Sequence, residues 1–195
     1  MKSFITLIFT LTVAISFGQV KPDSSKHLSF KGAPIDGTLA EYVAKMKESG
    51  FTLKATKDGT AILEGDFAAY KNCTVGVSTL TQKDLVSKIV VNFPACETWS
   101  SLSSNYFNLK ELLTEKYGKP SKSVEVFRSY TPDDDGTKMM EVRHDACKYY
   151  TIFETKKGTI QLAIGKGNSR SCFVKLTYFD KINSETVKKQ ALDDL

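Results

Sequence analysis

Apolar residues that follow Thr38 recur with the period of an amphipathic helix. Thr38 and Glu41 have the spacing of a capping box, which predicts that the helix begins at Thr38. Gly50 suits the left-handed position that follows a helix, so the helix is predicted to end just before it. The residues predicted to form its buried face are Leu39, Tyr42, Val43 and Met46.

Beyond Gly50 the apolar spacing changes to every second residue, which is typical of strands. Pro94 ends the last of these alternating runs, because proline has no N–H to donate to a sheet. A short edge strand is also predicted ahead of the first helix. The strands predicted in this part of the chain are 28–30, 51–55, 61–67, 73–77 and 86–93.

A second helix and a second set of strands follow Pro94. The apolar residues of the helix recur at steps of three and four, and the segment 117–120, which contains Gly118 and Pro120, predicts its end. A turn is predicted at 133–136, and a last helix at 184–192. The buried stripe of the second helix is predicted to be Trp99, Leu102, Tyr106, Leu109 and Leu113. The later strands are predicted at 124–130, 138–144, 149–154, 159–164 and 172–179.

This order of elements predicts an α+β fold, with helices packed on one face of a curved, mainly antiparallel sheet. The same order, a helix followed by antiparallel strands, occurs twice. The chain is therefore interpreted as two similar units, 28–97 and 98–195, the second carrying the C-terminal helix. A single domain over 28–195 is an equally good interpretation.

The N-terminus has the composition of a cleavable secretory signal peptide. Lys2 precedes an uncharged apolar stretch that ends at Phe17, which is too short to span a bilayer as a helix. Residues 1–18 are predicted to be the signal peptide, with cleavage before Gln19, or alternatively after Ser16. Residues 19–27 are predicted to be a flexible leader. The product is expected to be soluble and periplasmic or extracellular, with no integral membrane segment after cleavage.

Charged residues are spread along the chain. Lysine and arginine number 27 against 22 acidic residues, for a net charge of +5. This mixing is typical of a solvated surface, and it does not produce the clustered basic footprint of a nucleic-acid-binding protein. The partner is therefore expected to be a protein or an envelope component, not a nucleic acid.

Four cysteines enter an oxidising compartment if the chain is exported, which favours disulfides. No C-x2-C pair is present, so a zinc site is not indicated. The similar spacing of the cysteines within each unit motivates the hypothesis of two disulfides, Cys73–Cys96 and Cys147–Cys172.

The sequence contains no convincing catalytic, cofactor-binding or metal-binding constellation. His27 falls in the predicted leader. His144 and Asp145 would point to opposite faces of a strand, so they are interpreted as a polar pair at a strand end. The acidic run 133–136 lacks the spacing of a calcium-binding loop and is interpreted as a solvated turn.

Aromatic residues crowd the second half of the predicted sheet. On the strand 149–154, Tyr150 and Ile152 share one face while Thr151 shares the other with its odd-numbered neighbours. One face packs on the helices, and the other is free to form an aromatic binding surface. The residues predicted to contribute to that surface are Tyr149, Tyr150, Phe153 and Tyr178. The alternative interpretation is an aromatic core with incidental tyrosines at the surface.

Three functions are compatible with these features. The preferred one is an exported, non-catalytic module that binds its partner through the exposed sheet face. The second is an extracytoplasmic enzyme with a glycosidase-like pair of carboxylates about 5–9 Å apart. The third is a structural or small-ligand-binding envelope protein.

Three runs of residues resemble a group of small exported proteins from gut-type Gram-negative anaerobes to which no function is assigned. They are 30–38, the segment from Trp99 to Pro120, and the segment from Tyr150 to Asp180. The motifs in them are helix caps, helix stops and strand patterns, so the resemblance implies a fold and not a chemistry. The tandem helix-plus-sheet arrangement is also loosely similar to the β-lactamase inhibitor protein and to small outer-membrane assembly lipoproteins.

Overall fold

A computed structural model describes residues 26–80, 83–167 and 171–193. The predicted signal peptide and residues 19–25 of the predicted leader lie outside these ranges. The described residues adopt the predicted α+β fold, with four helices, an eight-stranded sheet and a small two-stranded sheet. The helices are α1 (Leu39–Glu48), α2 (Trp99–Tyr117), α3 (Asp135–Arg143) and α4 (Lys181–Asp193). The strands are β1 (Ser29–Phe30), β2 (Ala33–Pro34), β3 (Thr52–Lys57), β4 (Thr60–Phe67), β5 (Tyr70–Leu80), β6 (Lys83–Asn92), β7 (Lys122–Phe127), β8 (Cys147–Thr155), β9 (Gly158–Lys166) and β10 (Cys172–Asp180).

The large sheet is antiparallel throughout, in the order β3-β4-β5-β6-β10-β9-β8-β7. Each predicted unit contributes four consecutive strands, and the final strands of the two units, β6 and β10, pair at the centre. In this central pairing Val91 lies opposite Leu176. The two predicted units therefore share one continuous sheet.

Helices α1, α2 and α3 pack on the same face of this sheet, as predicted. Tyr178 on β10 illustrates the packing, because its electrostatic neighbours include Tyr42 of α1 and Tyr117 of α2. Its ring also meets Phe30 of β1 edge to face, with 5.6 Å between the ring centroids. Tyr178 is 4% exposed. It therefore joins the two halves of the core beneath the helices, and burial raises the pKa of its phenol.

The first two helices have the boundaries that their local signals predict. The Thr38 side chain accepts a hydrogen bond from the Glu41 N–H, while the Glu41 carboxylate accepts one from the Thr38 N–H. Gly50 has a φ of +91°, the left-handed conformation expected of a residue that ends a helix. All five apolar residues predicted for the buried stripe of α2 are buried.

Residues 135–143 form a helix, so the predicted turn at 133–136 and strand at 138–144 are wrong. The Asp134 carboxylate accepts a hydrogen bond from the Thr137 N–H at 2.8 Å, which caps α3. Met139 and Val142, spaced as on a helix face, are the buried residues. His144 is consequently a helix C-cap and not the end of a strand.

The last helix, α4, begins three residues before its predicted start, directly after β10. Asp180 ends the strand and accepts a hydrogen bond from the Asn183 N–H at 2.9 Å. This is the role of an N-cap side chain, so the strand passes straight into the helix.

None of the helices in the described ranges combines the length and the apolar character needed to cross a membrane.

The four cysteines, all within the described ranges, form no disulfide in the structure, so the two predicted bridges are not present in it. The strand register also disfavours one predicted pair. Cys96 lies opposite Cys172 in an isolated antiparallel bridge, and its N–H donates to the Cys172 carbonyl at 2.8 Å. Thr74 pairs with Asn92, which places Cys73 opposite the Phe93 position rather than opposite Cys96.

Candidate functional site: the open face of the sheet

The second face of the large sheet lies opposite α1, α2 and α3, and we call this surface the open face. At one end it is bordered by α4, where Ser184 and Glu185 line a recess together with Phe179. Residues directly opposite one another on paired strands share a face, so the register assigns its members. The central row is Ile62, Gly76, Val90, Thr177, Gln161, Ile152 and Lys122. The rows beside it are Glu64, Thr74, Asn92, Lys175, Ala163, Tyr150 and Val124, and Thr60, Ser78, Lys88, Phe179, Thr159 and Glu154.

The centre of the open face is a floor of small and apolar side chains. Thr177, where the two halves of the sheet meet, is only 5% exposed. Gly76 contributes no side chain, and a Cβ placed there would lie 3.8 Å from Ile62 Cδ1 and 3.9 Å from Val90 Cβ. The middle of this surface therefore consists of small and β-branched side chains, with Lys175 and Phe179 on either side of Thr177 along β10.

The flanking rows contribute aromatic rings and lysine amino groups. Phe179 is 38% exposed. The amino group of Lys122 lies 5.5 Å from the centroid of the Tyr150 ring, within the range of a cation–π contact. Lys175 is exposed beside the floor, and Lys88 is half-buried. These side chains make the part of the open face around β10 both aromatic and basic.

The carboxylates of the open face are engaged locally. Glu64 forms an ion pair with Lys54, with 3.2 Å between the amino nitrogen and the carboxylate oxygen. Glu154 accepts a hydrogen bond from the Thr159 hydroxyl at 2.8 Å. The lysines near the centre of the face therefore leave an excess of positive charge there.

Asn92 provides a polar atom with an unmet hydrogen-bonding requirement. Its side-chain oxygen, Oδ1, is buried and has no hydrogen-bond donor among the described residues. A buried carbonyl oxygen without a donor costs about 1–3 kcal/mol. In the register of the open face, Asn92 lies between Thr74 and Lys175.

The four residues predicted to form the binding surface are divided between the two faces. Tyr150 lies on the open face. Phe153 and Tyr178 are in the core at 1% and 4% exposure, and Tyr149 packs edge-on against Trp99 of α2. The alternation of faces along β8 is as predicted, but three of the four aromatic residues lie on the side covered by helices.

A cluster of hydroxyl and charged groups lies on the helix side of the sheet, where α2 covers β7 and β8. The Lys110 amino group is 3.0 Å from the Ser123 hydroxyl and also contacts the Glu125 carboxylate. Tyr106 and Thr151 share a 2.6 Å hydrogen bond within the same cluster. Each of these polar groups is hydrogen-bonded to another member of the cluster, which joins α2 to the sheet.

Glu125 makes the stability of this cluster dependent on pH. Partial burial opposes its ionisation, but hydrogen bonds from Lys110 and Ser123 outweigh that effect and lower the pKa of the carboxyl group. Its contribution is thus present above the ordinary glutamate pKa and is lost as the pH falls through the lowered pKa. We expect Glu125→Gln to reduce the free energy of unfolding by about 1 kcal/mol at pH 7, and by less at pH 3.

Urea titrations at both pH values measure this difference. Glu115→Gln is the matched control, because Glu115 is an exposed residue of α2, the helix that Glu125 contacts through Lys110. A Glu125→Gln deficit that stays constant between pH 7 and pH 3 would contradict the electrostatic role assigned to this carboxylate.

His27 is anchored to the fold, although the sequence places it in a flexible leader. Its Nδ1 lies 3.1 Å from a carboxylate oxygen of Asp180, which is fully buried. Its Nε2 lies 3.6 Å from a carboxylate oxygen of Asp36. The imidazole is therefore positioned between two carboxylates, and it attaches the start of the described chain to the end of β10.

The acidic run 133–136 caps two helices. Asp134 caps α3, and the Asp135 carboxylate accepts hydrogen bonds from the N–H groups of Trp99 and Ser100 at 2.9 and 2.7 Å. Carboxylates are favourable at such positions because helix N-termini carry partial positive charge.

Within the described ranges, no group of three or more histidine, cysteine, aspartate or glutamate residues is arranged to hold a metal ion.

Comparison with known proteins identifies no relative of this chain. A scan against protein-family models matched none, and searches of curated proteins and of solved structures found no match. The family resemblance seen in the sequence thus remains a prediction, and the geometry of the open face is the basis for a functional proposal.

Proposed function

We propose that this protein is an exported, non-catalytic interaction module that binds a protein or an envelope component through the open face. The observation that carries the proposal is the packing of α1, α2 and α3 on one side of an eight-stranded sheet, which leaves the open face with α4 at one end. The other side has small and β-branched side chains at its centre, with Lys88, Lys175 and Phe179 beside them. Export is proposed on the composition of residues 1–18, which resembles a signal peptide.

The side chains of the open face favour a partner that presents carboxylates or other anionic groups. Lys88 and Lys175 lie beside the centre of the face, and Lys122 lies on the edge strand β7, while Glu64 is paired with Lys54. Aromatic rings such as Tyr150 and Phe179 provide apolar contact area with few rotatable bonds. Binding driven by this arrangement should weaken as salt is added, because exposed charges are screened.

The carboxylate-based enzyme is less well supported. A recess beside α4 is lined by Glu154, Asp180 and Glu185, the type of residue that a glycosidase requires. Asp180 is buried, however, and accepts backbone hydrogen bonds, while Glu185 lies 3.7 Å from the Lys181 amino group. Each of these carboxylates thus has a local structural partner, which favours a role in stability over one in hydrolysis.

Affinity capture from envelope extracts tests the proposal when two matched double variants are compared. Lys175→Glu with Phe179→Ala alters the open face, while Lys47→Glu with Leu112→Ala makes the same kinds of change at exposed positions on the helix side. We expect the open-face variant to lose at least about 90% of the captured partner, a loss of roughly 1.4 kcal/mol in binding.

The helix-side variant is expected to capture as much partner as the wild type. Equal capture by both double variants, or loss from the helix-side variant alone, would overturn the assignment of binding to the open face. Thermal unfolding of both variants establishes that neither result reflects loss of folding.

A further inference from the structure

We propose that Cys96 and Cys172 form a disulfide that joins the two halves of the sheet at the β6–β10 seam once the protein meets an oxidant. Cys96 follows the last strand of the first half, and Cys172 begins the last strand of the second half. The proposed bridge thus crosses between the two halves, in contrast to the pairing expected from cysteine spacing. It is independent of the binding role proposed for the open face.

The backbone places these two cysteines in register. They are the two members of an isolated antiparallel bridge, closed by the Cys96 N–H and the Cys172 carbonyl at 2.8 Å. Opposite residues in antiparallel strands have Cα atoms about 4.5–5.5 Å apart, within the range of about 4.4–6.8 Å seen in disulfides. A bridge between them therefore needs only side-chain rotation.

Both side chains lie on the helix side of the sheet. Opposite residues share a face, and Cys172 lies on the same face as Val174 and Leu176, which are buried in the core. The Asn105 side chain of α2 donates a hydrogen bond to Cys96 Sγ at 3.3 Å, which places that sulfur beneath α2. The two sulfurs are consequently on the same side of the strands.

The other pairings are less compatible with the sheet. Cys147 is on β8 and Cys172 is on β10, and β9 separates them because Cys172 pairs with Lys166. Two strand spacings amount to about 9.5 Å, which exceeds the limit of about 7 Å for the Cα atoms of a disulfide. Cys73 is on β5, opposite Gly65 of β4 on one side and the Phe93 position on the other, so the β6 segment separates it from Cys172.

The reaction is an exchange with a small-molecule disulfide such as oxidised glutathione. Cys96 is partly exposed and Cys172 is buried, so the Cys96 thiolate attacks the acceptor first and releases one thiolate. The Cys172 thiolate then attacks Cys96 Sγ and releases the second. Two protons and two electrons leave the protein, one S–S bond is broken in the acceptor, and one forms in the protein.

The second step requires the Cys172 thiol to ionise, and the surrounding groups have opposite effects on that ionisation. Burial raises the pKa of its thiol, while the charge of Arg143 and a hydrogen bond from it act to lower that pKa. The net effect disfavours the thiolate in the folded protein. Formation of the bridge during folding, before α2 covers the sulfurs, avoids this barrier.

Peptide mapping under non-reducing conditions tests the pairing directly. The full chain is refolded with reduced and oxidised glutathione, remaining thiols are alkylated, and the digest is analysed by mass spectrometry. We expect a linked peptide pair containing Cys96 and Cys172, with Cys73 and Cys147 alkylated. A Cys73–Cys96 or Cys147–Cys172 bridge, or alkylation of all four cysteines, would overturn the proposal.

Thermal unfolding with and without reductant provides a second measurement. We expect reductant to lower the midpoint of the wild type by about 10 °C, because the bridge closes a long loop in the unfolded chain. Cys73→Ser and Cys147→Ser should show the same sensitivity to reductant. Cys96→Ser, at the more exposed position, should show none, and a reductant-sensitive Cys96→Ser protein would contradict the assignment.

Discussion

Replacing Gly158 with alanine is expected to lower the free energy of unfolding by about 3–5 kcal/mol, a large effect for one added methyl group. Gly158 begins β9 and has a φ of +154°, a conformation that residues with a side chain rarely adopt. A Cβ at this position would lie 2.1 Å from the Phe179 carbonyl oxygen and 3.2 Å from the Lys181 nitrogen. The neighbours are backbone atoms, so relief requires movement of β10 and the start of α4.

Gly76→Ala is the matched control for that substitution. Gly76 is also a strand glycine, but a Cβ there meets no atom closer than 3.8 Å. We expect a change within about 1 kcal/mol, since alanine also reduces the entropy of the unfolded chain. Urea denaturation of both variants measures the difference, and equal destabilisation by the two alanines would contradict the close approach at Gly158.

Asp180→Ala is expected to destabilise the protein by about 3 kcal/mol, or about 10 °C in the unfolding midpoint. Asp180 is fully buried, and its carboxylate accepts hydrogen bonds from the N–H groups of Leu28 and Asn183 at 2.8 and 2.9 Å. His27 also contacts it. Alanine would leave two buried N–H groups without acceptors and would remove the cap of α4.

The control for Asp180 is another carboxylate at the same end of the molecule. Glu185 contacts Lys181 across an exposed turn of α4, at 3.7 Å. Exposed ion pairs contribute little, so we expect Glu185→Ala to change the free energy of unfolding by at most about 0.5 kcal/mol. Calorimetric midpoints that fall equally for the two variants would show that Asp180 does not connect the start of the chain to α4 in this way.

Local signals in the sequence predicted the parts of the fold that depend on neighbouring residues. The capping box at Thr38 and the glycine at position 50 determine the ends of α1 through contacts within a few residues. The hairpin of β8 and β9 followed from alternation on either side of a turn. These contacts join residues only a few positions apart, which is the range over which a sequence pattern can be recognised.

The α3 helix was not predicted, because two patterns compete in the same residues. Four consecutive charged or small residues at 133–136 are typical of a turn, and the run 138–144 alternates weakly. In the structure Asp134 is an N-cap, and Met139 and Val142 pack as one helical face. Asp135 caps α2 as well, a contact between residues 36 positions apart in the chain that no local pattern indicates.

Only part of the candidate site could be predicted, because the rest depends on contacts between residues far apart in the sequence. Alternation along β8 correctly separated Tyr150 and Ile152 from Tyr149 and Phe153. It does not indicate which of the two faces the helices cover, because that depends on how strands far apart in sequence pair. The pairing of β6 with β10 also brings Val90 beside Thr177 at the centre of the open face.

His27 shows how a distant partner changes the interpretation of a residue. Its surroundings in the sequence are polar and contain no periodic pattern. The residue that holds it in place, Asp180, is 153 positions away. The buried carboxylate therefore attaches His27 to the fold, and only the tertiary structure reveals this.

Photo-crosslinking from the open face is the most direct test of the proposed binding role. A benzoyl-phenylalanine is placed at Phe179, which is 38% exposed on the open face, or at Phe107, which is 44% exposed on the helix side. The two positions have the same native residue and similar exposure. Cells that express each variant are irradiated, and adducts are separated by mass.

We expect a recurring adduct of one mass from position 179, reduced by added salt, and no such adduct from position 107. The salt dependence follows from the lysines that lie beside the centre of the open face. No adduct from position 179, or the same adduct from both positions, would contradict the proposal that the open face is the binding surface.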